Sequence, residues 1–250
     1  MLYEPLVLGN SLVDSLSERA RDQLQLTLVA QGTVLVEAGE KPRNVYFPAG
    51  CVASLMHAMK DGSMAEVSVV GHEGMVGVEL FLSGGPASGR AVVHCGGHAY
   101  RLRADLFTIE VERNRPLQRC LLTYLQSLIT QMAQTAACNR HHSVDQQLCR
   151  WLLLSLDRSN SPLVVMTHEM IANMLGVRRE GVSEAACRLQ KRGVIAYTRG
   201  RIVILDREQL GTSSCECYHV IRRSSEHLLD TTPAYLAPRV PTHEPARMVA

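Results

Sequence analysis

Two short helical patterns that meet at a glycine constrain the fold of this chain more than any other feature. In the first pattern Thr167 is a good N-cap residue, Glu169 suits the positive end of the helix dipole, and an apolar stripe follows. Gly176 then permits the positive φ that ends a helix sharply. In the second pattern, which runs to Lys191, apolar residues recur at helical spacing and leave a polar face opposite. The sequence therefore predicts a helix-turn-helix with one polar face free to contact another molecule.

The distribution of charge indicates what that face contacts. From Thr167 to Arg201 the chain has seven Arg or Lys residues against three carboxylates, a net charge of plus four, whereas the whole chain carries plus two. Arg178 and Arg179 fall in the first turn of the second helix, where an Arg can contact guanine and a Glu can accept from cytosine. The pattern therefore favours double-stranded DNA as the partner, although periodicity alone would also fit a solvated basic helix on a hairpin.

A β-hairpin is predicted directly after the second helix. Two β-rich runs, 194–198 and 202–205, flank Arg199-Gly200-Arg201, and a glycine between such runs is typical of a tight turn. Arginines at the tip of the hairpin are placed to contact backbone phosphates. Helix, turn, helix and hairpin in this order predict a winged helix-turn-helix.

The run THEMIANMLGVRREGVSEAACRLQKRGVI, continued by GRIVILDREQL, resembles the C-terminal winged helix-turn-helix of the Crp/Fnr family of bacterial transcription regulators. A weaker resemblance covers almost the whole chain. In that family an Arg-Glu pair early in the recognition helix contacts base edges, and it matches Arg179 and Glu180. Ser183 matches a position that helps to set operator preference in the Fnr branch. Arg178 replaces a common capping Ser, and Glu184 replaces an Arg that often contacts DNA, so the family's operator sequence does not carry over.

These positions together make up the predicted DNA interface. Base contacts are predicted for Arg178, Arg179, Glu180, Ser183 and Glu184, and backbone contacts for Thr167, His168, Arg188, Arg199 and Arg201. The resemblance implies duplex DNA, a second copy of the chain and RNA polymerase as partners, and it leaves the small-molecule effector unknown.

Length and composition indicate two domains. The 250 residues suit two domains with a connector, and 46% hydrophobic with 20% charged residues is ordinary for a soluble protein. The sequence has no apolar run of membrane-spanning length and no cleavable leader pattern, so we expect a cytoplasmic protein that does not bind a membrane. An enzyme is not expected, because the sequence lacks the Gly-x-Ser-x-Gly, phosphate-loop and His-Glu-x-x-His motifs.

Short β-rich runs broken by glycine and proline dominate residues 31–103. Strands are predicted at 34–36, 45–47, 52–56, 66–70 and 91–94, with a hairpin turn at Asp61-Gly62, whereas residues 1–30 are predicted to form short helices. Many short antiparallel strands predict a closed barrel or a double-sheet roll. The phrase EAGEKPRNVYFPAGCVASL resembles the double-stranded β-helix (jelly roll) of cyclic-nucleotide-binding domains.

The predicted fold class is therefore α+β, in four parts. A cyclic-nucleotide-binding-like sensor roll spans 1–113, a dimerisation helix and hinge span 114–140, the winged domain spans 141–211, and a partly disordered extension spans 212–250. Within these parts a helix is predicted at 144–156, with Trp151 in the core of the winged domain, and another after Leu210. Four prolines from Pro233 to Pro245 predict a disordered tail.

The resemblance also identifies a candidate effector pocket. In nucleotide-binding members of the family a Glu after a Gly binds the ribose hydroxyl, and an Arg-Ser or Arg-Thr pair binds the cyclic phosphate. Here Val78 follows Gly77, Glu79 comes one place late, and Gly89-Arg90 occupies the position of the Arg-Ser pair. Each lost partner costs about 1–3 kcal/mol. We therefore expect that a pocket with Gly77, Glu79 and Arg90 does not bind cyclic AMP.

A heptad-like stripe precedes the winged domain, after a proline suited to the first turn of a helix. Leu117, Leu121, Leu125, Leu128 and Met132 recur at spacings of three and four, as in a two-stranded coiled coil. A buried helix within one chain would show the same stripe. One recognition helix covers only a few base pairs, however, so a homodimer with these five residues at its interface is expected.

Eight cysteines are scattered along the chain, and the first is Cys51, so the N-terminal cysteine cluster of an Fnr-type iron–sulfur protein is not expected. Cys215-x-Cys217, and the group Cys138, His141, His142 and Cys149, could form a metal or redox site. Buried single thiols and a polar hinge at 138–143 explain them equally well, so no metal or cofactor is predicted. The alternative function is a cyclic-nucleotide or redox-responsive regulator whose winged helix also, or instead, binds protein partners.

Overall fold

Two antiparallel sheets form the N-terminal part of the chain in the computed structural model, which describes residues 10–159 and 161–230. The strands are β1 (Gln25–Val29), β2 (Val34–Val36), β3 (Asn44–Ala49), β4 (Val52–Ala58), β5 (Met64–Val70), β6 (Arg90–Cys95) and β7 (Gly97–Arg103). One sheet has the order β1-β7-β3 and the other the order β2-β6-β4-β5. The predicted hairpin turn at Asp61-Gly62 is confirmed: it joins β4 to β5, Gly62 has a φ of 84°, and Asp61 accepts from the Ser63 N–H at 3.0 Å.

Strands β1 and β7 correct the sequence prediction. They pair with each other in register from Gln25↔Arg101 to Val29↔Gly97, so residues 25–29 are not helical as predicted, and β7 was not predicted at all. The leucines at 24, 26 and 28 alternate with the period of a strand, and the partner that stabilises β1 lies about seventy residues away. The predicted helices before β1 are present as α1 (Ser11–Asp14) and α2 (Glu18–Arg21), while residues 1–9 lie outside the described part.

A long helix follows the roll. After α3 (Glu79–Leu82) and α4 (Ala104–Arg113), helix α5 runs from Arg115 to His141. Asn114 caps it by accepting from the Leu117 N–H at 3.0 Å. The break predicted to begin at Cys138 is wrong, because the helix continues to His141 and ends where His142 is extended. Ser143 then forms a capping box with Gln146 and starts the next helix.

The C-terminal part is a winged helix-turn-helix followed by two further helices. Its elements are α6 (Val144–Arg158), β8 (Leu163–Val165), α7 (His168–Leu175), α8 (Arg179–Lys191), β9 (Ile195–Thr198), β10 (Arg201–Ile204), α9 (Arg207–Ser213) and α10 (Glu216–Asp230). The three strands form an antiparallel sheet in the order β8-β10-β9. The predicted α+β fold of jelly roll, long helix and winged helix-turn-helix is confirmed. The predicted proline-rich tail falls outside the described residues.

The two halves share buried surface. Trp151 of α6 is 1% exposed in the core of the winged domain, as predicted, and that core also includes Val69 of β5. Helix α10 bridges the halves, since Ile221 packs in the core of the winged domain and Leu228 in the core of the roll. Among the described residues, no helix has both the length and the apolar character needed to cross a bilayer.

Candidate nucleic-acid interface

Helices α7 and α8 form the helix-turn-helix, and both ends of the turn have local causes. Thr167 has extended backbone angles, and its hydroxyl accepts from the Met170 N–H at 3.2 Å, which starts α7. Gly176 ends α7 in the left-handed conformation, with a φ of 66°. Ile171 of α7 and Val182 of α8 are fully buried in one core. The apolar faces therefore pack together and the polar face of α8 is left outside.

The first turn of α8 presents the predicted base-contacting residues to solvent. Arg178, Arg179, Glu180 and Glu184 are all exposed. Arg178 occupies the N-cap without a side-chain capping bond. Arg179 lies 3.9 Å from Glu169, with about two thirds of its side chain exposed, so this ion pair is weak and easily exchanged for a DNA group.

Ser183 and His168 contact each other instead of projecting separately. His168 Nδ1 and Ser183 Oγ are 2.9 Å apart, and the imidazole stacks on the ring of Tyr197 with centroids 4.0 Å apart. Partial burial, and then the charge of Arg179, lower the pKa of His168 and so favour the neutral ring. Tyr197 had no role in the sequence prediction, because its position on β9 gives no sign of the helix against which it packs.

Arg188 is already engaged within the chain. Its guanidinium lies 3.0 Å from the Asp145 carboxylate at the start of α6 and 3.7 Å from Glu184 one turn earlier on α8. Glu184, predicted to contact bases, therefore also helps to hold Arg188. A contact between Arg188 and a phosphate would compete with Asp145, which is a partner that the sequence pattern did not indicate.

The wing is the β9–β10 hairpin, and its tip is a two-residue turn. Thr198 pairs with Arg201, which leaves Arg199 and Gly200 as the central residues with φ values of 47° and 77°. Positive φ at both positions is the signature of a type I′ turn. Arg199 and Arg201 are both exposed, and a Cβ added at Gly200 would lie 3.5 Å from the side chain of Thr167. The wing tip is therefore held close to the start of α7, on the same side as the exposed end of α8.

The candidate effector residues line one cavity in the roll. Gly77, Glu79 and Arg90 all border it, and its volume is about 70 Å³. Gly77 has a φ of +96°, and a Cβ there would lie 3.1 Å from a backbone oxygen of Asn44, so glycine is required. The Nε of Arg90 lies 3.1 Å from a carboxylate oxygen of Glu37, so an anion would compete with Glu37 for this guanidinium.

The predicted dimer stripe lies against the chain's own roll. Leu117 and Leu121 are fully buried and Leu128 is 7% exposed, all in the core of the roll, while Leu125 and Met132 are half-buried. The exposed apolar residues of α5 are instead Leu122 and Ile129, each 58% exposed and seven residues apart. Periodicity identified the helix, but it could not tell the face that packs within the chain from the face that remains open.

Comparisons with known proteins agree with this geometry. Residues 146–212 match the family model described as the Crp-like helix-turn-helix domain. No curated protein matches the chain significantly by sequence.

Solved structures provide the comparison for the whole fold. A Crp/Fnr-family regulator from Eubacterium rectale is 16% identical, with a TM-score of 0.64, and the match covers 82% of this chain and 97% of that one. FixK2 from Bradyrhizobium japonicum is 15% identical, with a TM-score of 0.62 over 77% and 98% of the two chains. A CRP-family regulator from Thermus thermophilus is 20% identical, with a TM-score of 0.61 over 75% and 96%. Residues 146–212 therefore form a Crp-like helix-turn-helix domain, and the chain as a whole shares the fold of these Crp/Fnr-family structures.

Proposed function

We propose that this protein is a sequence-specific, duplex-DNA-binding transcription regulator that acts as a homodimer in the bacterial cytoplasm. The observation that carries the proposal is the exposed basic surface formed by the first turn of α8 and the wing tip. Arg178 and Arg179 lie at one end of that surface, and Arg199 and Arg201 lie at the other. RNA polymerase is the further partner that such a regulator would contact.

The DNA contacts divide by position. The first turn of a recognition helix enters the major groove, so Arg178, Arg179 and Glu180 are proposed to contact base edges, with Ser183 and Glu184 behind them. Arginines at a wing tip meet phosphates, as proposed for Arg199 and Arg201. Thr167, His168 and Arg188 flank the same surface and are proposed to contact the backbone.

The dimer is proposed to form through the open face of α5. Leu117, Leu121 and Leu128 would have to leave the core of the roll to reach a second chain, whereas Leu122 and Ile129 are available on the outside. Exposed apolar residues seven apart form the kind of seam that a second helix covers. Changing both Leu122 and Ile129 to Glu is expected to give monomers in sedimentation experiments, whereas Leu82→Glu, at a 61% exposed position on α3, is expected to leave the dimer intact.

The roll is proposed not to bind cyclic AMP. Its cavity of about 70 Å³ is small beside the roughly 300 Å³ or more of typical ligand sites, and Glu37 would compete with a cyclic phosphate for Arg90. Titration calorimetry with cyclic AMP is expected to give no heat of binding. Micromolar binding would contradict the proposal.

Selection of bound sequences from random duplex DNA tests the main proposal. We expect an enriched site with dyad symmetry and half-sites one helical turn apart. Binding through about six to ten phosphates should weaken roughly 10³-fold or more between 50 and 200 mM salt. A chain that binds no duplex at low salt would refute DNA binding, and enrichment without symmetry would refute the dimer.

Variants separate the roles of the residues. Arg179→Ala is expected to weaken binding by about 1–3 kcal/mol and to relax the preference at one base pair, whereas Arg201→Ala is expected to weaken binding equally on all sequences. Arg113→Ala, at an exposed position on α4, is the matched control for loss of a positive charge and should change neither. If Arg179→Ala and Arg201→Ala behave alike on every DNA, the assigned roles are wrong.

A further inference from the structure

Four metal-ligating side chains from two distant segments meet where the long helix ends. Cys138 lies in the last turn of α5 and His142 at its C-terminal cap, while Cys215 and Cys217 lie at the start of α10. One ligand atom from each of the four lies within 4.8 Å of all the others. Cys138 Sγ is 3.5 Å from Cys215 Sγ, and Cys217 Sγ is 3.6 Å from His142 Nδ1.

The group is shielded from water. Cys138, Cys215 and Cys217 are 0%, 3% and 2% exposed and form their own buried cluster, and the side chain of His142 is 16% exposed. Three thiols and an imidazole so close together have little apolar surface to gain from one another. Soft sulfur donors with one imidazole are instead the donor set that zinc prefers in closed structural sites.

We propose that Cys138, His142, Cys215 and Cys217 bind one zinc ion in a tetrahedral Cys₃His site. With Zn–S near 2.3 Å and Zn–N near 2.0–2.1 Å, a tetrahedron places two sulfurs about 3.8 Å apart and a sulfur and a nitrogen about 3.5 Å apart. The observed separations of 3.5 and 3.6 Å agree with these values within a few tenths of an ångström. The site joins a Cys-x-x-x-His on one helix to a Cys-x-Cys at the start of another.

The imidazole of His142 is oriented as a metal ligand would be. Its Nδ1 faces Cys217, while Nε2 lies 3.3 Å from the Glu216 carboxylate. A ligating histidine usually donates its second ring N–H to a carboxylate, which fixes the tautomer and makes the ligand more basic. Gln147 donates to the His142 carbonyl at 2.9 Å and so fixes the backbone of this ligand.

A nearby cation compensates the charge of the site. Three thiolates and one Zn²⁺ leave a net charge of minus one, which is costly to bury without a partner. Arg150 of α6 is 4% exposed and donates at 3.2 Å to Thr135, which lies one turn before Cys138 on α5. The negative site therefore lies beside a buried positive charge.

Two other chemistries fit less well. A disulfide between Cys138 and Cys215 would use two of the four groups and would not account for the contact between Cys217 and His142. An iron–sulfur cluster distributes its ligands over several metal atoms, so its ligand atoms stand farther apart than the 4.8 Å limit found here. A single tetrahedral ion uses all four ligands.

Metal analysis of the full chain tests the site directly. Protein purified under reducing conditions without chelator is expected to contain one zinc ion per chain, as measured by inductively coupled plasma mass spectrometry. Cys217→Ser is expected to lose most of the zinc, whereas Cys187→Ser, at an exposed cysteine on α8, is expected to retain it. Zinc that is unaffected by Cys217→Ser would overturn the assignment.

A titration of the metal-free chain with cobalt keeps the test valid if a cysteine variant misfolds. The wild-type chain is expected to develop the visible absorption bands of tetrahedral, thiolate-bound cobalt, and zinc is expected to bleach them. Glu216→Gln retains all four ligands and is expected to weaken metal binding about 10- to 100-fold, because it removes the carboxylate behind His142. A wild-type chain that binds neither metal would refute the site. A Cys138–Cys215 disulfide found by peptide mapping after purification under reducing conditions would also refute it.

Discussion

Burial of the Glu66 carboxyl group makes the stability of the protein depend on pH in a direction opposite to that of most acidic groups. Glu66 lies on β5, is 8% exposed, and accepts from the Ser54 hydroxyl at 2.5 Å. Ser54 also contacts His94 Nδ1 at 2.6 Å. Burial raises the pKa of Glu66 from 4.5 to about 7, against the opposing effects of the Ser54 hydrogen bond and the charges of Arg150 and Arg158. Burial lowers the pKa of His94 to about 3, so that ring stays neutral throughout.

The sign follows from counting protons. Between pH 4.5 and about 7 the folded chain retains the Glu66 proton and the unfolded chain has lost it, so the folded state binds more protons. The contribution of Glu66 to the free energy of unfolding therefore falls as the pH rises through this window, and it stays constant at higher pH. A shift of about 2.5 pKa units at about 1.36 kcal/mol per unit corresponds to about 3 kcal/mol.

The Glu66→Gln variant isolates this contribution. Gln has nearly the same shape and stays neutral, so it is expected to be within about 1 kcal/mol of wild type at pH 5 and up to about 3 kcal/mol more stable at pH 8. Urea unfolding followed by the fluorescence of Trp151, the single tryptophan, measures the difference at each pH and cancels the titration of other groups. Glu112→Gln, at an exposed position on α4, is the control and should show no such trend. An equal effect of Glu66→Gln at pH 5 and pH 8 would show that Glu66 ionises normally and would refute the reasoning.

Three further changes test the packing and the wing. Arg158→Met should lower the free energy of unfolding in urea by about 3–5 kcal/mol, because it leaves the buried Glu73 carboxylate without its partner; Glu73 Oε1 lies 2.5 Å from Arg158 Nε. Adding Glu73→Gln should recover most of that loss. Equal losses in the single and double variants would argue against the pair. Gly97→Ala places a Cβ 2.5 Å from a backbone oxygen and should lower the melting temperature, whereas Gly211→Ala, with open space on α9, should raise it slightly; similar shifts would contradict this geometry. In Arg199→Asn the new residue can adopt the left-handed conformation of the turn, so the free energy of unfolding should change by less than about 0.5 kcal/mol. The slope of log affinity for DNA against log salt concentration should fall by about one. An unchanged slope would mean that Arg199 does not contact phosphate.

Local patterns predicted the parts of the fold that depend on neighbouring residues. The caps and the glycine of the helix-turn-helix, the hairpin of the wing and the hairpin at Asp61-Gly62 are short-range features, and all are present. Strand β7, by contrast, exists because it pairs with β1 and β3, which are distant in sequence, and a strand of mixed composition has little local signal. The same limit applies to Leu122 and Leu121, since adjacent residues on one helix differ only in what packs against them.

The four-ligand cluster shows this limit at a site. Cys138 and His142 are four residues apart on a helix, and Cys215 and Cys217 are two apart, and each pair is a weak signal when taken alone. They meet only because α10 packs back along α5, and nothing in the sequence around residue 215 indicates that packing. His141 and Cys149, grouped with Cys138 in the sequence prediction, do not join the cluster. Of the two adjacent histidines, His141 and His142, the Glu216 carboxylate lies against His142 and orients its imidazole.

The contacts between the roll and the winged domain limit how a signal could pass between them. The backbone hinge is only His142 and Ser143, but Arg158 of α6 is paired with Glu73 of the roll, and Gln31 of the roll donates to the Val165 carbonyl at 2.6 Å. Converting a domain arrangement that is 99% populated into one that is 1% populated takes about 5.5 kcal/mol of differential binding. Because the Arg158–Glu73 pair and the Gln31 hydrogen bond both join the roll to the winged domain, an effector that moves the two apart has to supply that free energy while these contacts break.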